Sequence, residues 1–308
     1  MPIDYLSLDE RALKEELHAF YDKEIADQSK KDIFLALAIS SIAGGKAIMK
    51  IHERDDFKIF AKSGKEVSGE DAFKKISSNY TTEADKASHN AIVQILGENY
   101  HGIPIIFEEA NWTHAQHGTY ISVDEMDGTG RFIKRKPGFT VLTQHVENGN
   151  PIVSANFDPV ANALFVAIKN KGSYVNAARV QPDRIVNLDA AHVIINGRDK
   201  EKPENADYYA FMKNSFGDRL SAGMATGSRI MGVLNGKYDL VVNGGSEELH
   251  VWDLAMILNL TEAGGIATRI DGSPIDFMKP GITEDLVCSI TPALHSEVLS
   301  FLKTYKFK

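Results

Sequence analysis

Five apolar runs crowd into the middle of the chain: IPIIFEE (103–109), TYISVD (119–124), FTVLTQHV (139–146), PIVSANFD (151–158) and ALFVAIK (163–169). β-Branched and aromatic residues fill them, and their lengths are those of strands rather than helices. Asn148-Gly149 stands between two of the runs and Asn170-Lys171-Gly172 follows the last, and both look like hairpin turns, which need left-handed backbone. A sheet therefore occupies the centre, and the flanking segments have to cover its faces.

Helical patterns lie before it. Ser7 followed by Glu10 suits a capping box and predicts a helix toward Lys23. A second helix is predicted over 30–53, around the most apolar segment, IFLALAISSIAGGKAIM (33–49). Ser40-Ser41, Gly44-Gly45 and Lys46 interrupt that segment. It falls short of the roughly 20 apolar residues of a bilayer span and reads as a buried helix. Thr82 suits the N-cap of a third helix through about Leu96, with Ala87, Ala91, Ile92, Ile95 and Leu96 inward. Residues 54–80 are polar and mixed and carry no assignable pattern.

The second half alternates. Short apolar runs at 192–196, 238–243 and 286–290 punctuate helical stretches near 203–215, 226–236, 251–263 and 292–304. That alternation is α/β. The expected organisation is an N-terminal α+β part, 1–185, carrying the site, and a C-terminal α/β part, 186–308.

A net charge of −8 argues against a nucleic-acid polymer or an anionic membrane as partner. The lone cysteine, Cys288, excludes an intrachain disulfide and fits a cytoplasmic setting. Acids in MPIDYLSLDERALKEEL stand where a secretory signal needs a basic start.

The centre of interest is DEMDGT, where an apolar strand ends in three acids. Carboxylates a few Å apart cannot all stay ionised in a partly buried place without compensation. They share protons, point apart into water as an acidic turn, or hold cations. Asp124 and Asp127 are three apart, and a turn at the strand end lets both face one point together with the Met126 carbonyl. Hard oxygen ligands of this kind suit Mg²⁺. Gly128 permits a tight turn, and a short helix starting there would aim free amides at an anion. Metals and amide donors together describe a phosphate site.

Three other segments carry acids at comparable places: Glu108-Glu109 ends a strand in IIFEEAN, Asp85 opens a helix in TTEADK, and Asp253 opens one in VWDLAMILNLTEAGG. Alone, each is explained by a solvated strand end or by the helix dipole. Jointly, from about 80 to 270, they resemble the inositol monophosphatase superfamily of Mg²⁺-dependent, lithium-sensitive phosphatases. DEMDGTGRF stands for its D-P-[IL]-D-G-T-x-x-F motif, and WDLAMILNLTEAGG for its W-D-x-A…E-A-G-G motif.

The resemblance implies a layered α-β-α-β-α sandwich of the sugar-phosphatase type. It implies two or three Mg²⁺ ions on Glu108, Asp124, Asp127, Asp253 and the Met126 carbonyl. Thr129, with Glu108 and Asp85, would orient and deprotonate the attacking water. Gly128 and Thr129 would hold the phosphate, with Asp127, Asp253 and Ser228 lining the substrate. It implies a small-molecule phosphate ester as partner and leaves a homodimer open.

Glu125 departs from the motif by replacing its proline, which implies altered metal affinity rather than inactivity. Glu247 and Glu248 are candidates for gripping substrate hydroxyls. FIKRKPGFTV is closer to the superfamily's 3′(2′),5′-bisphosphate nucleotidase branch, and Arg131, Lys134, Arg135 and Lys136 are either a second-phosphate site or a solvated basic face. Ser228 and Arg229, in TGSRIMG, would line the leaving-group pocket. The substrate stands between an inositol monophosphate and a 3′-phosphonucleotide, with fructose 1,6-bisphosphate third. The competing class is a non-catalytic regulatory protein that binds a phosphorylated metabolite.

Overall fold

The computed structural model describes residues 28–54, 56–68, 80–97, 99–110, 118–181, 185–197, 205–244, 249–278 and 285–305. The helix expected before Lys23 and the pair Glu247-Glu248 lie outside them.

The central sheet has eight strands in the order β11-β10-β9-β8-β7-β6-β5-β4. They are β4 (Asn99–Tyr100), β5 (Ile103–Phe107), β6 (Tyr120–Asp127), β7 (Thr140–Glu147), β8 (Asn150–Asp158), β9 (Ala163–Ile168), β10 (Gly172–Val175) and β11 (Ala178–Val180). The two expected reversals are present, with Asn148 and Gly149 at φ 50° and 71°, and Asn170 and Gly172 at φ 64° and 100°. Side chains alternate across this sheet as a strand requires. Ile106, Tyr120, Leu142 and Phe165 enter an inner core, whereas Ile105, Val123, Val141 and Val166 enter an outer one.

Two helices close the outer face. α1 (Gln28–His52) packs on β7 and β8, and α2 (Glu83–Leu96) packs against α1 and β6. By length and composition α1 could cross a bilayer, being longer than its apolar run. Here Phe34, Leu37, Ala38 and Ile48 are fully buried beneath the sheet, so it is a core helix. Ser41 donates to the Ala155 carbonyl at 2.7 Å, and a Cβ at Gly45 would lie 2.4 Å from the Phe157 ring, so α1 approaches β8 closely there. The inward face of α2 differs from expectation. Ala84, Asp85, Ser88, Ile92 and Leu96 are buried, while Ala87, Ala91 and Ile95 are half-buried. Polar side chains with partners displaced the purely apolar stripe. Residues 54–80 supply part of a small sheet, β2-β1-β3, from β1 (Ile59–Ala61), β2 (Glu66–Val67) and β3 (Tyr80–Thr82).

Behind the inner face lies a layer made of α5 (Thr226–Leu234), a 3₁₀ turn (Val251–Leu254) and α6 (Met256–Glu262). The helix expected over 251–263 is thus divided. Asn259 of α6 is bonded by Ser154 at 2.7 Å and Asn156 at 2.9 Å, and Gln144 donates to the Val251 carbonyl at 2.6 Å. These buried polar links fix the layer's register on β7 and β8.

Beyond it stands a five-stranded sheet, β13-β12-β14-β16-β15, made of β12 (Val193–Ile195), β13 (Leu220–Ala222), β14 (Leu240–Asn243), β15 (Ile266–Thr268) and β16 (Leu286–Ser289). α4 (Ala206–Phe216) and α7 (Pro292–Leu302) complete the sandwich through Met212, Leu294 and Val298. The chain passes between the large sheets from Val180 to Val193. A single cluster of buried residues, including Ile106, Phe165, Val241 and Cys288, spans that passage.

Candidate metal centre

Most neighbouring strands of the eight-stranded sheet run antiparallel, but β5 and β6 are parallel. Phe107 stands opposite Val123, and the Glu108 amide donates to the Val123 carbonyl at 3.1 Å. Acids following the two strands therefore emerge on the same side. β6 keeps its register to Asp124 and then shifts before Asp127. Such an irregularity re-aims side chains and lets neighbouring residues face one point. β6 thus runs to Asp127, three residues past its expected end.

Two groups of carboxylates result. Glu108, Asp124 and Glu125 each offer an oxygen within 4.8 Å of the others, and so do Asp124, Asp127 and Asp253. Asp124 belongs to both.

Local structure explains each position. Asp124 Oδ1 accepts from the Met126 amide at 2.9 Å. Asp127 Oδ2 accepts from the Gly227 amide at 2.7 Å, at the start of α5. The approach is close: a Cβ there would lie 2.9 Å from Asp127 Oδ2 and 2.8 Å from the Leu142 side chain, so a larger residue would force one of them or the helix start to shift. Asp253 Oδ2 accepts from the His250 amide at 2.7 Å, as N3 of a capping box. Glu108 is half-buried, and Lys62 from the β1–β2 turn donates to its Oε1 at 2.8 Å.

Asp85 is N3 of the capping box of α2. Its Oδ2 accepts from the Thr82 amide and hydroxyl, both at 2.6 Å. Its other oxygen accepts from the Thr129 hydroxyl at 3.0 Å. Capping α2 and holding Thr129 thus use different oxygens of Asp85. The Thr129 hydroxyl also lies 3.3 Å from the Met126 carbonyl, while the Met126 side chain enters the outer core. Gly128, at φ 104°, caps the short helix α3 (Thr129–Ile133), so Thr129 is not its cap.

Burial dominates the electrostatics. Asp85, Asp124, Glu125 and Asp127 are all buried. Burial pushes Asp124 well above the usual carboxylate range, and Glu108, Asp127, Asp253 and Glu125 add to the shift. Asp85 is likewise raised, by burial first and then by Glu109. Burial raises Glu125 to about 7 despite its bond to His89. Crowded buried acids of this kind either hold protons or are kept ionised by a counter-charge such as a cation. The donor set is all carboxylate and carbonyl oxygen, which fits Mg²⁺ and disfavours softer ions.

Other sequence candidates sit differently. Arg229 is fully buried, and its guanidinium donates to Asn243 and, at 2.8 Å, to Thr226. That corrects its assignment to a substrate pocket, because its donors tie α5 to β14. Ser228 is next to Gly227, with a buried hydroxyl. Arg131 donates twice to the Pro137 carbonyl, at 2.8 and 2.6 Å. Arg135 donates to the His52 and Arg54 carbonyls. The basic cluster is therefore in part a set of loop ties.

Sequence reasoning missed Gly227, Lys62 and His89. Gly227 was legible in principle, as a glycine beside a helix start. Lys62 lay in an unassignable segment.

Known proteins agree with this architecture. A Nus factor SuhB from Pasteurella multocida is 26% identical over 238 residues, covering 72% of this chain and 86% of its own. An inositol-1-monophosphatase from Bacillus subtilis is 24% identical over 223 residues, covering 70% and 81%. Among solved structures, the extragenic suppressor protein suhB from Bartonella henselae superposes with a TM-score of 0.74 at 18% identity, covering 89% of this chain and 99% of that one. A 2′AMP-bound inositol monophosphatase II from Staphylococcus aureus gives 0.66 at 20% identity, covering 85% and 90%. These likenesses establish the inositol monophosphatase fold. The family model described as the inositol monophosphatase family matches residues 30–304, and the chain belongs to that family.

Proposed function

We propose that this protein is a Mg²⁺-dependent phosphomonoesterase that hydrolyses a small phosphorylated metabolite. The observation that carries the reading is the pair of carboxylate groups sharing Asp124, beside a hydroxyl bonded to a buried acid, Thr129 to Asp85. Glu108, Asp124, Asp127, Asp253 and the Met126 carbonyl would hold the cations. Bound Mg²⁺ would supply charge neutralisation of the phosphate and a lowered pKa for water.

The chain's own residues would do the rest. Amides of Gly128 and Thr129 hold phosphate oxygens, with Asp127, Asp253 and Ser228 lining the site. Glu108 and the Thr129 hydroxyl orient a water in line with the ester bond, and the hydroxyl passes the water's proton toward Asp85 Oδ1. Water oxygen bonds to phosphorus as the ester P–O bond breaks, and a second, solvent water protonates the leaving oxygen. No covalent intermediate with the chain is needed.

Within this reading an inositol monophosphate leads. Arg131 and Arg135 spend donors on backbone carbonyls, which weakens the charge argument for a second phosphate. A 3′-phosphonucleotide such as 3′-phosphoadenosine 5′-phosphate is second, and fructose 1,6-bisphosphate third. Relatives named as a factor rather than an enzyme support one other reading, a non-catalytic binder of a phosphorylated metabolite.

Phosphate release from the three substrate types, with Mg²⁺ or with chelator, tests the proposal. Mg²⁺-dependent turnover of one of them is the expected result. Saturable binding without phosphate release would replace the enzyme reading with the binder.

A further inference from the structure

We propose that Glu125 is itself a metal ligand, completing a third carboxylate of one cation site with Glu108 and Asp124, and that His89 is the residue positioning it. The proposal rests on the metal-centre reading above and deepens it.

Glu125 occupies the place where the motif has proline, whose side chain offers no ligand. Its own side chain is fully buried on β6. One oxygen, Oε1, meets His89 Nδ1 at 2.7 Å. The other, Oε2, has no hydrogen-bond partner among the described residues. A buried carboxylate oxygen left without a donor is costly, and proteins seldom keep one without a use. The Glu125 carboxylate offers an oxygen within 4.8 Å of oxygens from both Glu108 and Asp124. Opposite ligands of an octahedral Mg²⁺ are about 4.2 Å apart, twice the ~2.1 Å bond. One oxygen of each acid thus lies near enough to the others for side-chain rotation to bring the three onto a single cation.

The backbone and the partner are both fixed. Ser88 donates to the Glu125 carbonyl at 2.7 Å. His89 sits edge-on to Phe107 at 4.8 Å and aims its ring at Glu125 from α2. A histidine bonded to a ligating carboxylate orients it and tunes its charge. The added negative charge strengthens the site for a divalent cation, Mg²⁺ or Mn²⁺. The second site, built from Asp127 and Asp253, does not contain Glu125.

Mn²⁺ titration of the metal-free full chain, read by electron paramagnetic resonance and calorimetry, tests the inference without recourse to activity. The wild type should bind at two sites or more. Glu125→Ala should weaken one site at least about tenfold and leave the other, which Asp253→Asn should weaken instead. Glu125→Gln, nearly isosteric and able to offer an amide oxygen, should fall between, and it secures the result if the alanine variant does not fold. His89→Ala should weaken the same site as Glu125→Ala, by less. Glu125 variants that bind Mn²⁺ with wild-type stoichiometry and affinity, alongside an impaired Asp253→Asn, would overturn the inference and leave the metal centre standing. A wild-type chain that binds no Mn²⁺ would overturn both.

Discussion

Gly227→Ala is the most direct probe of how the site is built, because the glycine touches no substrate in the mechanism. Its amide holds Asp127 Oδ2 at 2.7 Å. An alanine Cβ would lie 2.8 Å from a methyl of fully buried Leu142, where ordinary contact begins at 3.4 Å. If packed Leu142 holds its place, the start of α5 withdraws by about 0.6 Å. A withdrawal along the bond stretches it to about 3.3 Å, past the usual limit of roughly 3.2 Å. A hydrogen bond to a charged group is worth about 1.5–3 kcal/mol, and overpacking costs about 1–3 kcal/mol. With partial relaxation the sum is about 2–4 kcal/mol. At roughly 2.1 cal/mol/K per residue, a chain of 308 residues loses about 1.5 °C of Tm per kcal/mol. Calorimetry should show a Tm lower by about 3–6 °C. Asp127 would also lose its aim, and loss of such an orienting contact typically weakens metal binding about 10–100-fold. A variant with wild-type Tm and wild-type Mg²⁺ affinity would refute the claim that this close approach positions Asp127.

Thr129→Val removes the hydroxyl bonded to Asp85 and should lower kcat by at least about 10²-fold with little change in KM, whereas Thr129→Ser should retain most activity. Equal rates for the two variants would end the proton-transfer role. Asp124→Asn and Asp253→Asn should each lower turnover by orders of magnitude, more so for Asp124, which is common to both carboxylate groups. Chelation should abolish turnover, Mg²⁺ should restore it, and lithium should inhibit. Without metal, the raised Asp85, Asp124 and Glu125 leave the folded chain binding more protons than the unfolded one. Their contribution to stability is therefore present at low pH and lost as pH rises from the ordinary carboxylate range through about 7. The Tm gained on adding Mg²⁺ should accordingly grow from pH 5 to pH 8. Subtracting the metal-free curve cancels His145 and His295, which burial pushes down in both states. A gain independent of pH would show that these acids are not what the cation relieves.

Strands β5 to β9, β12, β14 and β16, the two hairpin turns and helix α2 were legible because each rests on local pattern: β-branched runs of strand length, Asn-Gly, and a capping threonine; the short strands β4, β10, β11, β13 and β15 carry no such run and were not. The clustering of Glu108, Asp124, Asp127 and Asp253 was legible only through combined motifs, since no spacing reveals that β5 and β6 run parallel. What escaped was polar burial. Ser88 and Asp85 face inward on α2 because the Glu125 carbonyl accepts from Ser88 and the Thr82 amide donates to Asp85, and hydrophobic periodicity sees neither bond. Arg229 looked like a substrate ligand because charge is normally exposed, yet Asn243 and Thr226 make it a core residue. Glu125 was legible only as a departure from the motif's proline, and nothing local showed that it is a fully buried acid.

The shared acid Asp124 belongs to a mid-chain strand, Asp85 to an outer helix and Asp253 to the layer behind the sheet. Contacts between residues so far apart along the chain are formed late and slowly, because long loops must close before they are rewarded. A cation gripped by Asp124, Asp127 and Asp253 would act across that distance as a reversible crosslink, joining the sheet to the layer behind it. Its grip exists only in the finished fold, so every increment of binding adds to folding stability by mass action. Cellular magnesium would then set the lifetime of the folded chain as well as its chemistry, and metal-starved protein should be cleaved by protease first where the inner layer peels from β6.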